Sequence, residues 1–282
     1  MAGKIKYICP DNHISCDINL GECPVCHKKM IPEMSKDWME ILVEKKELWH
    51  EKAMEEFPAV ISFEYWRLRE QIAQKHPYGA VFMIKDLMET VLKYYVLVSY
   101  AWGKNADVSE FKQGVLPLIT TPNLSLGSWM DLGRKIIAFS KTENLFSLPT
   151  ELYACLSCIL KFYDKNNFVN WRNENIGHGA LSDIDNLMFQ QDIEKKTKQF
   201  FELFCKLESS VPKVALSSES RVLQGYKNAR NLENESSLYI LFLERDEKIS
   251  IDPFISIIDG GVFFFDNQKK KNGLSYSVIH QE

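Results

Sequence analysis

The feature that most constrains this chain is a long apolar run broken at helical spacing. Between residues 79 and 102, Val81, Phe82, Ile84, Leu87, Met88, Val91, Leu92, Tyr95 and Val96 recur at the three- and four-residue steps of an α-helix. Lys85, Asp86, Glu89 and Lys93 interrupt it, so it falls short of the ~18 apolar residues that read as a membrane span. A helix this apolar has to be surrounded by others, which makes it the expected centre of a helical bundle. Glu89 and Lys93 are four apart and predict an ion pair, exposed on the bland reading.

The expected neighbours follow from caps and periodicity. One helix runs from Ser35 as N-cap to about Glu56, through Trp38, Ile41, Leu42 and Trp49. A second starts at Pro58 and is ended by His76-Pro77. Residues 103–127, with Pro117 and Pro122, read as a looser connection, after which Ser128 caps a helix carrying Trp129, Leu132, Ile136, Ile137 and Phe139. Pro149 is expected as the first residue of a helix reaching Tyr163. Its Cys155 and Cys158 spell CxxC, but Leu152, Leu156, Ile159 and Leu160 surround them, so they read as buried core thiols. Ser182 or Asp183 caps a last amphipathic helix through Ile193, Phe200, Phe204 and Leu207, with Lys195, Lys196 and Lys198 assigned to its polar face.

Near Pro212 the hydrophobic period changes from 3.6 to 2. Segments 213–216 and 222–225 suggest short strands, 237–243 a buried strand, and 249–258 its hairpin partner after a turn at 245–248. Gly260-Gly261 and Asn272-Gly273 read as turns into two more strands, giving one antiparallel meander of four to six strands. The chain ends almost at the last strand, which leaves room for it to be part of a longer protein.

Four of the seven cysteines lie within the first 26 residues. An odd, clustered count argues for a metal site in a reducing cytoplasm rather than for disulfides. Cys23-Pro-Val-Cys26 is a metal knuckle and Cys9 the natural third ligand. The fourth is His13 or Cys16, and the Cys-Pro-x-x-His spelling, similar to ribbons using Cys-x3-His, favours His13. Residues 1–32 thus read as a ribbon around a structural zinc ion, too small to fold without it. Lys4 and Lys6 lead straight to Cys9, so no signal peptide is expected. The net charge of −4 supplies no general attraction for nucleic acid, so any RNA contact has to be local.

The chemistry concentrates in Trp171-Arg172-Asn173-Glu174-Asn175-Ile176-Gly177-His178-Gly179. Arg172 offers a planar fork for phosphate, His178 a proton acceptor near neutral pH, and Asn173 can orient either. Two glycines place His178 at a turn. An Arg followed at once by Asn, with His after five intervening residues, resembles the R-x(4–6)-H signature of the HEPN superfamily, small helical bundles that include many metal-independent endoribonucleases of toxin, CRISPR-associated and antiphage systems. The resemblance implies catalysis by Arg172, Asn173 and His178, RNA as substrate, and a homodimer in which two motifs face each other. In such bundles polar groups on the central helix can approach the motif.

The expected fold is therefore α+β and multidomain. A zinc ribbon (1–32) is followed by a helical linker or first bundle helices (33–78), a mainly α-helical HEPN-like bundle (79–210) and a C-terminal antiparallel β module (211–282). The expected function is RNA cleavage, as a toxin or antiphage effector under a regulatory protein partner, with no membrane involved. Alternatively the Arg-Asn pair and His178 only cap helices, and the protein is an inactive HEPN-like adaptor that recruits partners through its ribbon and β module. A DNA-binding regulator is the weakest class, since the ribbon has few basic residues (Lys28, Lys29).

Overall fold

The computed structural model of the protein describes residues 6–9, 11, 13–16, 20–33, 38–105, 109–119, 124–141, 147–176, 186–229, 237–252, 254–258, 261–265 and 276–278. Helices dominate. The centre is α4 (Pro77–Asn105), preceded by α1 (Trp38–Glu44), α2 (Glu51–Glu55) and α3 (Ala59–Ala73). It is followed by α5 (Ser109–Ile119), α6 (Leu126–Lys141), α7 (Thr150–Lys165), α8 (Phe168–Asn175) and α9 (Asn186–Leu207). From Thr90 the apolar pattern leaves little of α4 outside: every residue from Tyr94 to Ala101 is buried. α3, α6, α7 and α9 pack around it. Gly133 of α6 lets the helices close up, because a Cβ there would stand 3.2 Å from Leu160 of α7 and 3.3 Å from Val96 of α4.

The expected helix over 35–56 is broken in three. After α1 the chain takes a 3-10 turn at Lys46–Leu48 and restarts at α2, where Nδ1 of His50 accepts from the Ala53 N–H at 3.1 Å. The break is set from a distance. The Tyr65 hydroxyl of α3 donates to the Leu48 carbonyl at 3.0 Å and accepts from the His50 N–H at 3.1 Å. Trp49 Nε1 folds back onto the Leu42 carbonyl at 2.9 Å. Segment 38–57 is thereby held against α3 and, through His50 to Glu208 at 3.4 Å, against the end of α9. The Ser35 and Ser182/Asp183 caps lie outside the described residues.

Two cap assignments shift. Ser125, not Ser128, caps α6: its Oγ accepts from the Ser128 N–H at 3.1 Å. Pro149 stands one residue before α7 in extended geometry (φ −51°, ψ 142°) rather than in its first turn. Part of the expected connection is helix α5, which carries Pro117 two residues before its end and stops soon after it.

Among the described residues the strands form three antiparallel sheets, one in the N-terminal segment and two where a single C-terminal meander is expected. At the N-terminus β1 (Lys6–Ile8), β2 (Ser15–Cys16) and β3 (Ile31–Glu33) run in the order β2-β1-β3. After α9, β4 (Val214–Ser217), β5 (Val222–Leu223), β6 (Tyr239–Phe242) and β7 (Glu247–Ser250) form a four-stranded sheet ordered β5-β4-β6-β7. β8 (Ile255–Ile258), β9 (Gly261–Phe265) and β10 (Tyr276–Val278) make a separate sheet. The expected hairpin partner over 249–258 is thus cut in two. Ile251 bends the chain: it donates to Leu238 at 3.2 Å and accepts from the Phe254 N–H at 2.8 Å.

One apolar core runs from Trp38 to Ile255 and includes residues of the helices, the four-stranded sheet and β8. Trp102 meets Phe242 of β6 edge-on at 5.3 Å, and Tyr100 meets Phe254 at 4.8 Å, fixing the sheets to the C-terminal half of α4. Gly225 (φ +75°) approaches so closely that a Cβ would lie 2.5 Å from the Glu55 carbonyl, and its N–H donates to Phe57 at 2.9 Å. Among the described residues no helix is long and apolar enough to cross a membrane.

Cys155 is buried on α7 and Cys158 half-buried one turn on, both as free thiols. Burial, then the neighbouring Cys158, pushes the Cys155 thiol up to about 12, so it is a poor nucleophile. In the native protein a thiol reagent is expected to modify exposed Cys205 and leave Cys155 untouched until the chain unfolds. Peptide mapping after alkylation reads this directly, and fast labelling of Cys155 would contradict the burial.

Candidate functional site

Two groups of chemistry-bearing residues stand out. The first is in the N-terminal segment. Cys9, His13, Cys23 and Cys26 place one ligand atom each so that all lie within 4.8 Å of one another, a group that could hold a metal ion. Two turns build it. The Asp11 N–H points at Cys9 Sγ (3.3 Å) and the Val25 N–H at Cys23 Sγ (3.4 Å), while Cys9 and Cys23 are wholly buried. Cys9 Sγ lies 3.4 Å from Cys26 Sγ and 3.6 Å from His13 Nδ1. Lys28 and Asp11 tie the turns together at 2.9 Å. Burial raises the Cys23 thiol, but the Cys26 and Val25 N–H groups outweigh it and bring it below its usual value. Cys26 goes up to about 11: the Lys28 N–H pulls it down, and burial with the crowded Cys9 and Cys23 sulfurs pushes harder. Cys16 sits on β2 opposite Tyr7 and does not join the four.

The second group surrounds Arg172. The chain turns at Asn167, in left-handed geometry (φ +53°), and enters α8. Phe168 and Trp171 bury one side of this short helix, and Trp171 Nε1 donates to Asp192 of α9 at 3.2 Å. The other side carries Arg172, half-buried, and Asn173, exposed. Arg172 Nη2 lies 3.6 Å from Glu89 Oε1 of α4, and Nη1 lies 3.4 Å from Asn173 Oδ1. Glu89 also accepts from Lys93 at 3.3 Å. Arg172 Nε is buried and has no hydrogen-bond partner among the described residues. Lys85, one turn before Glu89, is held above its usual value: burial lowers it, but Asp86 and then Glu89 outweigh that, with Arg172 opposing. The structure therefore joins Arg172 to Asn173 and to the charged stripe of the central helix. Gly177, His178 and Gly179 lie outside the described residues, as do the caps expected at Ser182 or Asp183.

Lys196 is a correction. It is not on a polar face but only 2% exposed, packed at 4.4 Å over Phe168 and 5.2 Å over Trp171, with Nζ 3.4 Å from the Asn166 carbonyl. The signal was in the spacing: Ile193, Lys196, Phe200, Leu203 and Leu207 fall on one helical stripe. Lys196 thus clamps α8 to α9 behind Arg172. Burial brings its ammonium down to about 8; Lys195 adds to this and Asp192 opposes it. In the unfolded chain the same group titrates near ~10.4. Between those values the unfolded state binds more protons, so this residue makes folding stability rise with pH across that window. Below it, both states are charged and the burial cost is felt in full. The difference in stability between wild type and Lys196→Met, measured by urea unfolding from pH 7 to 10, is expected to move in favour of wild type as pH rises. A difference independent of pH would contradict the buried placement.

Comparison with protein-family models, with curated proteins and with solved structures finds no match to this chain.

Proposed function

We propose that this chain is a metal-independent endoribonuclease of HEPN type, in which Arg172, Asn173 and His178 act on the RNA backbone. The observation that carries the reading is the fixing of Arg172 by Glu89 of the central helix, with Asn173 beside it and the guanidinium reaching the surface. Such a cation is oriented before substrate arrives, which is what stabilising a developing phosphoryl charge requires. His178 takes the proton of a 2′-OH, whose oxygen attacks the adjacent phosphorus. The bond to the 5′-oxygen breaks and that oxygen receives a proton. The products are a 2′,3′-cyclic phosphate and a free 5′-OH. A single Arg-His set has no evident second acid, and a homodimer bringing two motifs together would supply one. By the resemblance, a toxin or antiphage effector in the cytoplasm, restrained by a protein partner, is the setting that fits.

The four-donor group is read as a structural zinc site. Three thiols and an imidazole are the donor set zinc favours, and the ion would supply the folding energy of the ribbon. The ribbon, whose apolar cluster is separate from the main core, is read as a unit available to a partner, while the four-stranded sheet shares its core with the helices. One observation favours a second reading: Glu89 already neutralises Arg172, so the pair could serve only to staple α8 to α4 in an inactive adaptor. End-group analysis of RNA incubated with the protein in excess EDTA separates the two. Cyclic-phosphate ends support the nuclease, and intact RNA supports the adaptor.

A further inference from the structure

The outward side of α4 is a single narrow stripe. Beyond Gly79, the positions up to Ala101 that are not buried are Phe82, Lys85, Asp86, Glu89 and Lys93. With Tyr78 they follow the three- and four-residue steps of one helical face. Two aromatic rings open the stripe, Tyr78 at 52% and Phe82 at 42% exposed. Single exposed rings are ordinary. These two are set apart by their neighbours, because the same face continues into Lys85, into Lys93 and into Arg172 held on Glu89. The carboxylates of Asp86 and Glu89 leave one cation in excess among these five charges. At ~1.5 Å per residue, Phe82 stands about 10 Å along the helix from Glu89, and Tyr78 about 6 Å further.

Flat apolar rings in line with cations match a ligand that alternates flat bases with phosphates. A duplex keeps its base faces stacked inside, so only an unpaired strand can use the rings. We infer that this face of α4 is a platform for single-stranded RNA, on which Phe82 and Tyr78 stack bases to one side of the phosphate held at Arg172, with Lys85 and Lys93 beside neighbouring phosphates. The identity of the strand as RNA rests on the nuclease reading above. Single-stranded regions thereby become the substrate class, and the recognition is tolerant of sequence because every base has a π-face.

The test uses the full chain and a short fluorescein-labelled oligouridine with 2′-O-methyl sugars, which cannot be cleaved by 2′-OH attack. It is offered alone or annealed to its complement. Tyr78→Ala/Phe82→Ala is expected to weaken binding of the single strand by ~10- to 100-fold in fluorescence anisotropy, with duplex binding unchanged. Tyr78→Phe/Phe82→Tyr, which keeps both rings, is expected to bind like wild type. Both side chains are exposed, and unchanged circular dichroism and melting confirm an intact fold. Unchanged single-strand affinity in the alanine variant, or no binding by wild type, overturns the platform. So does loss of self-association in sedimentation at unchanged affinity, which would assign the face to a second copy of the chain. Binding through the rings by a wild type that cleaves no RNA upholds the platform and sinks the nuclease. Cleavage lost in Arg172→Ala but intact, with intact binding, in the alanine double variant does the reverse.

Discussion

Replacing Cys23 with Ser, or stripping the protein with a strong chelator, is expected to unfold residues 6–33 and leave the helical body standing. The apolar cluster of this segment has three buried members, Cys9, Cys23 and Met30, with Tyr7, Ile14, Cys16 and Cys26 packed against it. Two of the three are donors in the group that could hold a metal ion, so the core of this segment consists largely of those donors. Each ordered backbone residue costs ~1–2 kcal/mol of conformational entropy. A metal ion bound in a small site of this kind would supply ~10–16 kcal/mol against that cost. The core from Trp38 to Ile255 is separate from that cluster and should not notice. Amide NMR of chelated protein reads both halves at once. Collapse of the shifts of residues 6–33 with the helical spectrum unmoved is the expected outcome, and dispersed N-terminal shifts without metal would contradict it.

The second large effect is expected at Arg172. Removing one preorganised charge-stabilising donor costs ~10²–10³-fold in rate, and Arg172→Ala should lose at least that in single-turnover cleavage. Arg172→Lys is expected to recover little, because a point ammonium cannot present two parallel donors while also meeting Glu89. Stability should hardly change. Arg172 and Glu89 are 29% and 21% exposed, and such partly wetted pairs contribute ~1 kcal/mol or less. A large rate loss with an unshifted melting curve separates a working guanidinium from a staple between α8 and α4. A matched fall in both would favour the staple.

Much of the fold was legible because its strongest signals are local. The α4 run is apolar at helical steps over more turns than any other segment, and the Cys23-Pro-Val-Cys26 knuckle announces itself by its spacing. The misreadings have non-local causes. Nothing near Trp49 and His50 says that the helix must break there; Tyr65 and Glu208 decide it. The split of 249–258 follows from β7 pairing with β6 while β8 pairs with β9, a choice between partners that alternation cannot express. Pro117 and Pro122 make 103–127 read as a loose connection, yet Pro117 sits in the last turn of α5, which ends two residues later. At the site, Arg172 and Asn173 were legible as chemistry. The partnership of Arg172 with Glu89 joins residues 83 apart in the chain and appears only when α8 folds onto α4. Lys196 was hidden by its charge, since a lysine on an apolar stripe is normally given to the nearest polar face.

The central claim is that Arg172 and His178 form one RNA-cleaving pair. The most direct measurement follows cleavage of transfer RNA and total RNA by wild type, Arg172→Ala and His178→Ala, all purified alike and assayed in excess EDTA. The account predicts cleavage by wild type alone, with 2′,3′-cyclic phosphate ends. Equal cleavage by all three, or none by wild type freed of any bound partner, would contradict it.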